Sequence, residues 1–239
     1  MIVLPIAAAL VSLVFGVHLL VRFGRRGNLF EGVWAVALLM YAIASGALAF
    51  GVLDGWSSAE FRTYWLFGAL LNVPYLAQGE VYLLVRPQWV GHAVFGVLLL
   101  ATVWATVEVR TASLDEEVLA TREFFSGRQV LEEGSAALEL ARPYSIGGYV
   151  VLVAGALWSA WRTRGRRELR NRFHGILLIV LGATVVFAGS AFARGANFGG
   201  FSLLLTAGVA VMYWGFLMAS RPRHGVAARA GGAERPAKT

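Results

Sequence analysis

Cysteine is absent from the 239-residue chain, so disulfides, thiolate metal ligands and a cysteine nucleophile are excluded. Charge is scarce: 15% of residues are Asp, Glu, Lys or Arg, against about 25% in an ordinary soluble domain. Lysine occurs once, at Lys238. No G-x-S-x-G, H-E-x-x-H or Walker A pattern occurs, which removes the common serine-hydrolase, zincin and P-loop signatures. Hydrophobic residues instead make up 58% of the chain, with 28 Gly for close helix packing and 8 Trp and 15 Phe for membrane interfaces. Apolar runs of membrane-spanning length recur almost to the C-terminus, a pattern foreign to a soluble core.

Hydropathy predicts an all-α polytopic membrane protein with seven transmembrane helices, at residues 2–21, 32–52, 64–85, 90–109, 146–161, 173–193 and 201–219. The first run starts at Ile2 without a charged n-region, and no A-x-A site precedes Arg22, Arg25 and Arg26, so it reads as a retained span. Fifteen of the 21 basic residues fall on one side of this topology, including Arg22, Arg86, Arg162, Arg172 and Lys238. The positive-inside rule then places the N-terminus outside and the C-terminus in the cytoplasm, in a bacterial inner membrane. These basic residues border the spans, where anionic headgroups lie, so the expected partners are membrane lipids and not nucleic acid.

One transmembrane domain is expected over 1–220, with an outside segment at 110–145 and a disordered basic tail at 221–239 that has almost no large apolar residue. The outside segment is acidic, carrying Asp115, Glu116, Glu117, Glu132, Glu133 and Glu139 among others. Ser113 and Glu116 fit a capping box, predicting one or two short amphipathic helices broken near Gly127. They would form a connector, a lid or a surface for a protein partner. With the fourth span as linker, the others form two triplets that run parallel, a 3+1+3 arrangement of the kind known in transporters. Trp56, Trp65, Trp158 and Trp161 read as interfacial belts. Ala42-x-x-x-Gly46, Ala47-x-x-x-Gly51 and Gly189-x-x-x-Ala193 read as close helix contacts, and Thr184, Ser190, Thr206 and Tyr213 as interhelical hydrogen-bonding groups.

On these boundaries Glu80 is the one acidic residue deep inside a span, where a carboxylate must be neutral, paired or water-lined. It closes the most polar intramembrane stretch, from Leu71 to Glu80. Pro74 cannot donate to the Leu70 carbonyl, so a kink and an unsatisfied acceptor are expected in the third helix. At 100° per residue Asn72, Tyr75, Leu76 and Gly79 share a face, Glu80 flanks it and Gln78 lies roughly opposite. His18, His92 and His174 fall at a similar depth, but none forms a pair at i, i+3 or i, i+4.

The span count resembles that of rhodopsins, as do Trp65-Leu66-Phe67 and Trp214-Gly215-Phe216. That family's retinal needs a Schiff-base lysine in the seventh span, where this chain has Tyr213, so retinal is excluded. Pro87-Gln88 resembles the motif of SWEET and PQ-loop transporters, but here it occurs once, at a helix end. Membrane hydrolases of the alkaline ceramidase type also have seven spans and a cytoplasm-side His cluster, yet they carry an H-x-x-x-H pair that this chain lacks. The stretches Phe67-Gly68-Ala69-Leu70-Leu71-Asn72-Val73-Pro74 and Ala156-Leu157-Trp158-Ser159-Ala160-Trp161-Arg162 resemble seven-span membrane proteins of high-GC bacteria that have no assigned activity.

The leading expectation is binding, with transport, of a small molecule or ion at Glu80, Asn72, Tyr75, Gln78 and the Pro74 kink, with no cofactor and no catalytic residue. One alternative is an accessory or assembly subunit docking a protein partner through the outside segment. The other is a metal or haem enzyme using His18, His92 and His174.

Overall fold

A computed structural model describes residues 2–120, 124–165, 169–195 and 197–220. The expected tail at 221–239 lies outside the described residues. The helices are α1 (Val3–Arg26), α2 (Leu29–Asp54), α3 (Ser58–Tyr64), a π-helical segment (Trp65–Leu71), α4 (Asn72–Leu84), α5 (Gln88–Thr111), α6 (Glu116–Leu119), α7 (Gly127–Val130), α8 (Ala136–Glu139), α9 (Ala141–Thr163), α10 (Arg170–Arg194) and α11 (Phe198–Ser220). Among the described residues there is no strand, only an isolated bridge between Leu114 and Leu131.

Six helical stretches are long and apolar enough to cross a membrane: those of α1, α2, α5, α8–α9, α10 and α11. Their outward faces carry large apolar side chains, as lipid contact requires, including Leu10, Phe50, Leu100 and Trp214. Residues 58–84 are helical throughout but change type twice. Pro74 explains the change, since it lacks an N–H and its ring crowds the carbonyl four residues back; the π-helical segment ends three residues before it. The acceptor bonded from outside is not the expected Leu70 carbonyl but that of Ala69, which accepts a 2.9 Å hydrogen bond from Ser145 on α9. Neighbouring hydroxyls satisfy broken helices in this way.

Helix neighbours form a closed ring in the order α1, α2, the 58–84 run, α9, α10, α11 and back to α1. α5 stands outside this ring against α4 and the π-helical segment, and is buried only at Gly91, Ala105 and Val109. The closest seam joins α10 to α11. A Cβ at Gly182 would lie 2.5 Å from the Gly208 carbonyl oxygen, and one at Gly175 2.5 Å from that of Gly215. Gly175, Gly182 and Gly189 are spaced by seven, as are Gly208 and Gly215, so both helices offer bare backbone on one stripe. Of the small-residue motifs expected to do this, Gly189-x-x-x-Ala193 meets α11, where a Cβ at Gly189 would lie 3.3 Å from Leu204 Cβ, but Gly46 has open space around it and Gly51 receives Trp56.

All short helices lie at one end of the ring, opposite the end that carries Arg22, Arg86 and Arg162 (the basic end). Asp115, and not Ser113, caps α6, its Oδ1 accepting from the backbone N–H groups of Glu117 and Val118. The expected break near Gly127 is a new start, because Ser126 and Gln129 form a capping box there. Leu119, Phe125, Val130, Leu131, Ala137 and Leu140 bury this segment against the bundle. That burial also corrects the reading of two tryptophans. Trp56 and Trp65 are not interfacial but buried, in a cluster with Phe61 and Phe125, and the Trp65 indole donates to the Ala137 carbonyl. Trp158 and Trp161 are exposed, as a belt requires.

Candidate ligand cavity and buried polar groups

Inside the ring is a cavity of about 1050 Å³. It is walled by α2, the 58–84 run, α9, α10 and α11, and at the end opposite the basic end it is lined by residues 125–128, 133–134, 138–139, 141–143 and 145–146. Most of the lining is apolar, from Leu38 and Leu48 through Val73 and Leu152 to Leu205 and Val209. Towards the basic end it stops at Ala37, Leu76, Leu152, Ala183 and Met212. Two lining hydroxyls are already engaged: Tyr41 donates to the Leu205 carbonyl at 3.2 Å, and Tyr149 and Thr184 share a hydrogen bond of 2.9 Å. Asn72 and Ser45 also line the cavity, are almost fully buried, and make no side-chain hydrogen bond among the described residues. A buried amide without a partner carries a desolvation penalty that a ligand or water can relieve. Arg128, Glu133, Glu139 and Arg142 give the end opposite the basic end a charged rim.

The site residues expected from the sequence do not gather around this cavity. The helix from 72 to 84 has a different neighbour on each side, and each side takes one part of the set. Asn72 lines the cavity with Val73 and Leu76. Tyr75 and Gln78 turn towards α5: the Tyr75 hydroxyl lies 3.2 Å from Thr102 Oγ1, and Gln78 Nε2 donates to the Gly91 carbonyl at 2.8 Å. Pro74 and Glu80 turn towards α9, where the absent side chains of Gly148 and Gly155 make room. A Cβ at Gly155 would lie 2.5 Å from Glu80 Cγ. On the α2 side the Trp34 indole fills the space at Gly79 and donates to the Leu76 carbonyl at 2.8 Å.

Glu80 is 3% exposed, its Oε1 has no hydrogen-bond partner, and it forms no ion pair with a described residue. It sits one helical turn beyond Leu76, on the basic side of the cavity floor. Glu80 is not the only buried carboxylate, because α2 starts at Leu29 and thereby draws Glu31 into the bundle. Glu31 is fully buried and paired with Arg22, whose Nη2 lies 2.7 Å from its Oε1. Arg22 also donates to Ser220 Oγ at 2.7 Å and lies over the Phe216 ring, so one side chain ties α1 to α2 and α11. The sequence held a clue to this pair, since Arg22 and Glu31 are the only opposite charges flanking the tight Gly27-Asn28 turn at that spacing.

The three histidines have separate surroundings. His18 shares a 3.4 Å contact with the Tyr213 hydroxyl, His92 a 3.1 Å hydrogen bond with Tyr82, and His174 donates to the Arg170 carbonyl of its own helix at 2.8 Å. Among the described residues no group of three or more His, Cys, Asp or Glu side chains converges.

Comparison with protein families, curated proteins and solved structures gives no match for this chain.

Proposed function

We propose that the protein binds a small apolar or amphipathic molecule in the central cavity and moves it across a bacterial inner membrane. The cavity carries this reading: its volume suits a substantial ligand, its walls are apolar, and Asn72 and Ser45 offer polar groups that no other described residue bonds. In this reading the 58–84 run is a seventh span, broken where it meets the ligand. The N-terminus lies outside, and the ring order of the helices accords with two parallel triplets joined by α5. Glu80, beyond the cavity floor, is the ionisable group on the route to the basic end. Tyr75, Gln78 and Pro74 then serve the packing and shape of the broken helix.

The test uses a hexadecanoic acid carrying a photoreactive diazirine, added to the full-length protein in lipid nanodiscs. Wild-type labelling should map to the cavity walls in 37–48, 64–76 and 183–212, and Ser45→Phe should reduce it at least tenfold without altering the helical signal. Labelling confined to outward residues such as Val97 and Leu100, and indifferent to Ser45→Phe, overturns the reading. In proteoliposomes Glu80→Gln should abolish any pH dependence of probe uptake and leave cavity labelling intact.

A second reading is favoured by one observation. Asp115, Glu116, Glu117, Glu132, Glu133 and Glu139 are all exposed on a segment whose apolar side chains are buried. That outer surface suits a basic protein partner, and co-purification lost on neutralising these carboxylates would select it over the cavity.

A further inference from the structure

A second cavity, of about 510 Å³, opens at the basic end, between the ends of α4 and α9 and the starts of α5 and α10. Arg86, Arg162 and Arg172 line it, with the Tyr82, Ser159 and Thr163 side chains among them. Among the described residues no carboxylate lines it, and none of the three arginines forms an ion pair or donates a hydrogen bond. Arg22, at the same end, is instead held by Glu31. Among the described residues Glu80 interacts with Arg172 electrostatically without pairing to it. Among the described residues the three guanidinium groups therefore give the cleft an excess of positive charge.

The surroundings say at what depth this charge lies. Trp89, one residue after Gln88, and Trp158 and Trp161, beside Ser159 and Arg162, are all exposed. Exposed tryptophans mark the boundary where acyl chains meet headgroups. Leu83, Leu84, Val85 and Leu169 give the cleft an apolar wall. Guanidinium groups bind phosphate oxygens in pairs, and basic pockets between helix ends are suited to phosphate-bearing headgroups.

We propose that this cleft binds a phosphate group, presented by an anionic glycerophospholipid headgroup or by a soluble phosphate ester. Arg86, Arg162 and Arg172 contact the phosphate oxygens, and Ser159 and Tyr82 take up the hydroxyls of the attached group.

The test is native mass spectrometry of the full-length protein from mild detergent, titrated with phosphatidylglycerol or with diacylglycerol of the same chains. Wild type should retain one phosphatidylglycerol at least tenfold more tightly than diacylglycerol. The variant Arg86→Gln/Arg162→Gln/Arg172→Gln should lose that preference. Arg25→Gln/Arg26→Gln/Arg164→Gln removes the same charge from the same end outside the cleft, and should stay within twofold of wild type. The single variant Arg162→Gln, at an exposed position, should lose severalfold and guards against misfolding of the triple. In lipid-free detergent, inorganic pyrophosphate tests the soluble source: a thermal shift lost only in the cleft triple assigns the site to soluble phosphate esters, and lipid retention without that shift assigns it to a headgroup. Equal losses in both triples, or no loss in the cleft triple, overturn the proposal, as does a wild type that binds neither probe.

Discussion

The Ser145 hydroxyl on α9 is hydrogen-bonded, at 2.9 Å, to the carbonyl of Ala69 in the π-helical segment. The helix that contains Pro74 is thus completed by a different helix. Ser145→Ala strands that acceptor and should cost about 1 kcal/mol, with Ser145→Thr retaining most of the stability. Thermal unfolding of the purified variants in one detergent checks this; an unchanged midpoint for Ser145→Ala would show that the carbonyl finds another partner.

The Arg22 and Glu31 pair should respond asymmetrically. Arg22→Met leaves a fully buried carboxylate without its cation and should destabilise by about 3–5 kcal/mol, whereas Arg22→Met combined with Glu31→Leu should recover most of that loss. A double-mutant cycle on thermal or denaturant unfolding measures the coupling directly.

Gly79 faces the Trp34 ring with no space for a side chain. Gly79→Leu should displace the indole, break its hydrogen bond to the Leu76 carbonyl and cost at least about 2 kcal/mol. Trp34→Phe, which keeps the ring and removes only the donor, should cost about 1 kcal/mol. Loss of the Trp34 contribution to near-ultraviolet dichroism in Gly79→Leu would report the displacement.

The α10–α11 seam should be the least tolerant part of the bundle. Gly182→Val places two methyl groups against the Gly208 carbonyl and the Met212 side chain, and should abolish monodisperse elution in gel filtration. Gly46→Val, at a helical glycine with open space around it, should elute as wild type.

Sequence alone determined what depends on composition and local periodicity. Apolar runs of spanning length gave the membrane helices, and Pro74 announced the break in the third helical run, because both follow from the solvent and from one missing N–H. The period-seven glycines of α10 and α11 were legible too, although the four-residue motif finds only Gly189 among them. Tertiary structure decided which neighbour meets each face of that broken helix. At 100° per residue the side chains of α4 fan out around its axis, and each sector meets a different partner: Asn72 the cavity, Tyr75 and Gln78 α5, Glu80 α9. The burial of Trp56 and Trp65, the Arg22–Glu31 pair and both cavities arise between segments far apart in the chain. No window of residues carries them, since each exists only once the ring of helices has closed.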